Sequence, residues 1–332
     1  MGLAIHEVTE LPALGSKLYH VRVADDRHAF VAREHHKQRF PDVKVDVHHH
    51  FTHHATSKKR IDKSYTARGA AQWQKAGRSC GKGIRIGVID GHVDTRHAAF
   101  KGLNIKHKAF NAKGTRPPNG HHGTGVTAVL AGVGSWGGLL PGAEYRTANV
   151  FHRNKAGKTV GSSKAILHAI DWMIAEKVSV INMSFGGAPN DLVGEALKQA
   201  YGKGIVLIAS GGNAGPFTKK KSFPAAFDEV IAVTALDRFE RSARFSSKGE
   251  CLEFAAPGVD IWTAVPRGGK PMSGTSFAAP IIAGFAAAAQ HYKKAKGPEA
   301  VRAYLRKHAK DKTEKGRDKY TGWGLVLMGP LC

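Results

Sequence analysis

Three polar side chains in this sequence stand where an apolar run breaks into a loop or a helix start, and a carboxylate, an imidazole and a hydroxyl are types able to do acid–base or nucleophilic chemistry. Asp90 ends the run Ile86-Gly87-Val88-Ile89, and His122 sits in His121-His122-Gly123-Thr124-Gly125 ahead of Val126 to Ala131. Ser276 lies in Gly274-Thr275-Ser276-Phe277-Ala278-Ala279-Pro280. A serine hydroxyl needs a base to take its proton. Histidine titrates in the right range, and a carboxylate on its other ring nitrogen fixes the tautomer and stabilises the imidazolium. Each residue alone has a plainer use, as a turn cap, as one histidine among 19, or as a helix N-cap. The heptad around Ser276 weighs most, because so many residue types in fixed places recur by chance in fewer than about one such chain per thousand. A serine opening a helix also presents its Oγ beside unpaired N–H groups and the positive end of the helix dipole.

The elements that must hold these residues read as alternating short strands and helices. β-Branched runs at Ile84 to Ile89, Val178 to Met183, Ile205 to Ala209 and Val230 to Thr234 alternate with amphipathic stretches at Ser163 to Glu176 and Asp191 to Lys203. Continuously apolar strands need cover on both faces, so the expected fold class is α/β, a mostly parallel central sheet flanked by helices on both faces. In such sheets ligands bind at the carboxyl ends of strands, where Asp90 and the Asn213 loop fall.

Val88-Ile89-Asp90, His122-Gly123-Thr124, Gly212-Asn213-Ala214-Gly215 and the Ser276 heptad, in that order, resemble the subtilisin-like serine proteases, the subtilases. The likeness runs from about Trp73 to Gly324 and includes Asn182 to Gly187, Phe223-Pro224-Ala225, Ala255 to Gly258 and Gly322-Trp323-Gly324. It implies a serine endopeptidase acting through an acyl-enzyme, with Asp90, His122 and Ser276 as the triad. Asn213 and the backbone N–H of Ser276 would be the oxyanion donors. It also implies that Ser184-Phe185-Gly186 and Thr159-Val160-Gly161 flank an extended peptide substrate as a middle strand. Gly211, Gly212, Ala214 and Ser222 would line the pocket for the residue before the scissile bond, with Lys219 to Lys221 at its rim favouring acidic side chains. Two departures stand out. Asp90-Gly91-His92 lacks the hydroxyl that usually follows the aspartate, and Gly125 replaces a second histidine. No acid-rich loop resembles a calcium site, and neither a metal nor another cofactor is expected.

Residues 1–55 read as a strand (Leu18 to Val23), a helix (Asp25 to Phe40) and a strand (Val43 to Val47), ending in His48, His49, His50, His53 and His54. This unit resembles the trailing half of the inhibitory propeptide that precedes many subtilases, with residues 56–72 as a linker and processing region and the catalytic domain from 73 to 332. Self-cleavage is then expected between about His48 and Ala70, and the histidine cluster is a candidate pH trigger.

The chain has 50 Lys and Arg against 26 Asp and Glu, a net charge of +24, so nonspecific attraction to polyanions is expected. The basic clusters, such as Lys58-Lys59-Arg60 and the tail Arg302 to Lys319 with its lone Tyr304, lack the repeated interleaved aromatics that a nucleic-acid platform needs. The most apolar stretch, Phe277 to Ala289, contains Pro280 and falls short of the ~20 residues that span a bilayer. Cys80 and Cys251 are read as free thiols, and Cys332 is left unassigned. The expected partners are peptide or protein substrates and the chain's own N-terminal segment, acting on a monomer. The resemblance implies export to the periplasm or beyond, although no signal peptide is legible. The rival functions are a catalytically dead binding or scaffold relative and a basic polyanion-binding protein.

Overall fold

From Arg85 onward, strands and helices alternate because runs of Val, Ile and Ala that are apolar on both faces can be buried only by covering a sheet on two sides. The computed structural model describes residues 3–23, 29–53, 62–73, 77–111, 114–218, 220–293, 295–329 and 331–332 of the 332-residue chain. The elements begin with the antiparallel hairpin β1 (Leu3–Leu11) and β2 (Ser16–Val23), followed by α1 (Ala29–Arg39), β3 (His50–His53) and the single turn α2 (Ala67–Ala70). Next come β4 (Arg85–Asp90), β5 (Ile105–Ala109), α3 (His121–Ala131), β6 (Glu144–Asn149), β7 (Phe151–Arg153), β8 (Thr159–Ser162) and α4 (Ser163–Ala175). The chain continues through β9 (Val180–Met183), β10 (Phe185–Gly187), α5 (Asp191–Gly202), β11 (Val206–Ser210), β12 (Val230–Leu236) and β13 (Leu252–Pro257). The hairpin β14 (Ile261–Val265) and β15 (Gly268–Met272) leads into α6 (Thr275–Tyr292), α7 (Pro298–Lys307), β16 (Ala309–Lys310) and β17 (Leu325–Val326).

Nine strands form one sheet in the order β16-β17-β13-β12-β11-β9-β4-β6-β5, parallel throughout except for β16. Alternate strand residues serve opposite faces. Val88 and Ile208 join α3 and α6 in one core, while Ile89 and Leu207 join α4 and α5 in the other. The expected helices and strands of this region therefore stand, their ends shifted by a residue or two. Local chemistry sets the helix starts, where Ser162 caps α4 by accepting from Ala165 N–H (3.2 Å) and Asn190 caps α5 by accepting from Val193 N–H (3.0 Å). No helix among the described residues is long and apolar enough to cross a membrane.

The N-terminal region departs from the expectation. It opens with the hairpin β1–β2, and its last strand is His50–His53, not Val43 to Val47. Groups in 43–47 instead serve the start of α5: Val47 C=O accepts from Asn190 Nδ2 (2.9 Å), and the Asp46 carboxylate accepts from Asp191 N–H. Lys37 pairs with Asp191 (2.5 Å) and Lys44 with Glu195 (2.6 Å), while Leu14 N–H donates to Asp171 on α4 (3.0 Å). The N-terminal region thus docks on the two helices covering one face of the sheet. The cysteine reading is also corrected. Cys80 forms a disulfide with Cys332 (Cα–Cα 5.3 Å), and only Cys251 is a free thiol. His54, the first part of the expected linker (residues 56–61, including Lys58, Lys59 and Arg60), and Lys219 lie outside the described residues.

Candidate active site

Asp90, at the carboxyl end of β4 and between β6 and β9, is 1% exposed. Its Oδ1 accepts from Gly91 N–H (2.6 Å) and lies 2.8 Å from His122 Nδ1. Burial alone would raise this carboxyl, but the imidazoles of His122 and His53 and these two hydrogen bonds hold it below the usual carboxylate range. Its Oδ2 is buried and has no hydrogen-bond partner among the described residues.

His122 is the second residue of α3, and local sterics explain its neighbours. A Cβ at Gly123 would meet the carbonyl oxygens of Gly91 and His92 at 2.6 and 2.7 Å, so only glycine lets the helix start press onto the loop after β4. Thr124 Oγ1 accepts from Asp94 N–H (2.9 Å) and ties that loop down. His122 Nε2 is buried and has no hydrogen-bond partner among the described residues.

Ser276 is the second residue of α6, fully buried and preceded by Gly274 at φ 151°. Pro280, four residues on, has no N–H to give to the Ser276 carbonyl. The Ser184 hydroxyl supplies that bond instead (2.9 Å) and is itself held by Asn182 Nδ2 (2.9 Å). Ser276 Oγ in turn donates to Ser184 C=O (3.1 Å), so it is turned toward β10 rather than toward His122 Nε2.

Asn213 follows β11. Its Oδ1 accepts from Thr275 N–H (3.1 Å) and Thr275 Oγ1 (2.8 Å), which fixes the amide orientation because a backbone N–H can only donate. Asn213 Nδ2 is left buried with no hydrogen-bond partner among the described residues, beside the start of α6. This oriented amide donor, set beside the first turn of α6, suits a developing alkoxide.

A second sheet, in the order β10-β3-β8-β7, forms the adjoining cleft. The N-terminal strand β3 runs antiparallel between its walls, with His53 opposite Phe185, Thr52 opposite Gly186 and Phe51 opposite Gly187 on one side. On the other side His50 stands opposite Ser162 and Phe51 opposite Gly161. Phe51 is 1% exposed, edge-on to Phe185 at 5.8 Å. The His53 ring stacks on His122 (4.0 Å, 5°) and contacts Phe151 (3.9 Å), with Nε2 3.5 Å from Asp90 Oδ1. His53, Asp90 and His122 offer three potential ligand atoms within 4.8 Å of one another. The two stacked imidazoles lie in parallel planes, and in-plane lone pairs in separate parallel planes do not meet at one point, so this is not a converging donor set for an ion.

Of the expected substrate-binding residues, Phe185, Gly186 and Gly161 pair with β3, while Ser184 supports Ser276. Thr159 and Val160 pair instead with Arg153 and His152 of β7. Beside the cleft, Gly212, Asn213, Ala214, Lys220, Lys221 and Ser222 help line a cavity of about 800 Å³. Gly211 is not among its lining residues: its N–H bonds Val233 C=O (2.8 Å), and a Cβ there would meet Leu252. Sequence reasoning missed Ser162, Gly187 and Phe151 as cleft residues. The aromatic Phe151, opening a short alternating run, was the one available signal.

A serine at a helix start, an imidazole bonded to a buried carboxylate and one unspent amide donor, at the carboxyl ends of a parallel sheet, are the groups that hydrolases of the serine type use. Residues 81–324 match the subtilase family, Peptidase_S8, and the chain belongs to that family. It is 32% identical over 256 residues to subtilisin DY of Bacillus licheniformis, across 74% of this chain and 89% of that one. It is 31% identical over 226 residues to the major intracellular serine protease of Bacillus subtilis (strain 168), across 64% and 70%. Among solved structures, fervidolysin from Fervidobacterium pennivorans, described as a keratinolytic enzyme related to subtilisin, matches with a TM-score of 0.70 at 24% identity, over 85% of this chain and 50% of that one. The prenylagaramide maturation protease PagA matches with a TM-score of 0.65 at 25% identity, over 78% and 95%. The fold is subtilisin-like, and the chain is a subtilase-family serine protease, a peptide hydrolase.

Proposed function

We propose that this chain is an endopeptidase working through an acyl-enzyme on Ser276, with His122 as base, Asp90 as its orienting carboxylate, and Asn213 Nδ2 with Ser276 N–H as oxyanion donors. The Ser276 hydroxyl turns from Ser184 to His122 Nε2 and attacks the scissile carbonyl carbon, and its proton passes to Nε2. The tetrahedral oxyanion is held by the two donors. Its collapse breaks the C–N bond, with His122 returning the proton to the leaving amine. Water, deprotonated by His122, then attacks the ester and restores the serine. The observation carrying this reading is the 2.8 Å Asp90–His122 contact beside an Asn213 amide whose acceptor is committed and whose donor is not. Casein and peptide hydrolysis by the processed wild type, lost in Ser276→Ala, is the expected result. No hydrolysis by the processed wild type would favour the binding, scaffold or polyanion alternatives.

Residues 1–55 act in this reading as an inhibitory propeptide. β3 lies in the cleft antiparallel to β10, and its last residue, His53, stands opposite Phe185, the neighbour of the Ser184 whose carbonyl accepts from Ser276 Oγ. On this reading the processing bond is assigned to His54–Ala55, the two residues just past β3, which lie outside those described. N-terminal sequencing of the mature species is expected to begin at Ala55; a start outside 49–71 contradicts this assignment and the self-processing reading alike.

A further inference from the structure

Gly91 is the one residue between Asp90 and His92, and its missing side chain is filled from elsewhere in the fold. A Cβ at Gly91 would meet His53 Cε1 at 3.2 Å, Pro118 Cγ at 3.3 Å and His53 Nε2 at 3.4 Å. The floor left by glycine is therefore occupied by an imidazole belonging to the cleft strand, with only 15% of its side chain exposed. That imidazole is held on three sides. Its faces lie against the rings of His122 (4.0 Å) and Phe151 (3.9 Å), and its Nε2 edge lies 3.5 Å from Asp90 Oδ1. Asp90 is 1% exposed, and the oxygen that His53 Nε2 faces is the one already bonded to Gly91 N–H and lying against His122 Nδ1, so a third polar edge at 3.5 Å adds a favourable electrostatic contact to a buried carboxylate.

The shape and polarity of this subsite are therefore specific. An aliphatic side chain would fill the space between the rings but bring no polar edge to Asp90. A larger residue at 91 would close the floor. We propose that the subsite floored by Gly91 and walled by Phe151 selects an imidazole, so that preferred peptide substrates carry histidine two residues before the cleaved bond, as His53 does in this chain. The inference rests on the protease reading above and names the substrate class of that same site. Gly91 acts here as a specificity-determining residue: it touches the side chain of the bound strand and takes no part in bond breaking.

The test uses the processed enzyme and the peptides Phe-Thr-X-His-Ala-Thr-Ser, with X as His, Nε2-methyl-His, Phe or Ala. The expected kcat/KM for X = His exceeds that for X = Ala by roughly tenfold or more, because a site matched to a polar side chain penalises its absence. Methylation at Nε2 is expected to remove most of that advantage, and Phe to fall below His despite its similar shape. In Gly91→Ser the His-to-Ala ratio is expected to collapse toward one. Equal kcat/KM for the His and Ala peptides in the wild type overturns the inference, as does a His preference that survives in Gly91→Ser. The wild-type ratios decide the matter even if the variant fails to fold. The two readings fail differently. Casein cleaved without preference for His removes only this inference, whereas no cleavage of casein or of any peptide by the processed chain removes the protease reading and this one with it.

Discussion

Asn213 is committed before any substrate arrives. Two bonds from Thr275 hold its Oδ1, and its Nδ2 pays the cost of burial with no partner among the described residues. An unspent buried donor is worth keeping only where an acceptor appears during the reaction. Asn213→Ala is therefore expected to lower kcat by roughly a hundredfold to a thousandfold with little change in KM. A loss confined to KM would contradict an oxyanion role. The same scale explains what was legible in the sequence. Gly123 and Pro280 carried a strong signal because sterics and a missing N–H leave little choice at those positions. The relation of Gly91 to His53 was invisible. Both residues were noted, but nothing local links them, and the contact exists only because β3 enters the cleft.

At the scale of elements, the helices and strands of the catalytic region follow their hydrophobic periods, since each buries one stripe or two faces against a continuous sheet. The N-terminal region does not. Val43 to Val47 alternates like a strand, yet its polar groups are spent on the start of α5. His50–His53, too short to hold a strand alone, is extended because the backbones of β8 and β10 provide its ladder. Phe51 anchors that strand, fully buried against Phe185. Truncating a buried Phe costs about 3–5 kcal/mol, so Phe51→Ala in an isolated 1–54 segment is expected to raise its inhibition constant against the processed enzyme roughly a hundredfold or more. An unchanged inhibition constant would mean that the segment does not inhibit through the cleft.

Across the whole molecule, the two ends of the parallel sheet do different work. Asp90 closes β4 at the reactive end, while Arg85 opens it at the other, donating to the Glu176 backbone carbonyl (2.6 Å) and pairing with Glu144 (3.1 Å). Glu176 joins this network by binding Lys106 (2.5 Å) and Arg146 (2.6 Å). The Lys106 hydrogen bond, with Arg146 beside it, holds its carboxyl down at about 2 against a desolvation that would raise it. A carboxylate depressed in the folded state stabilises above its unfolded pKa of roughly 4.3. That contribution is lost as pH falls through about 2. With 16% of the Glu176 side chain exposed, screening reduces the effect. Glu176→Gln is expected to cost on the order of 1–2 kcal/mol at pH 7. In thermal melts between pH 7 and 2 that deficit should shrink below pH 4.5 and close near pH 2; a constant deficit would contradict the linkage. The Cys80–Cys332 bridge belongs to this scale too, and its separation of 252 residues is why the sequence could not pair it.

All three scales meet at one hydroxyl. Treating the processed enzyme with an active-site-directed fluorophosphonate and mapping the adduct by peptide mass spectrometry tests whether Ser276 is the activated nucleophile. A single adduct on Ser276, absent in both Ser276→Ala and His122→Ala, is the expected result. An unlabelled chain, or a label on another residue that persists in Ser276→Ala, would contradict it.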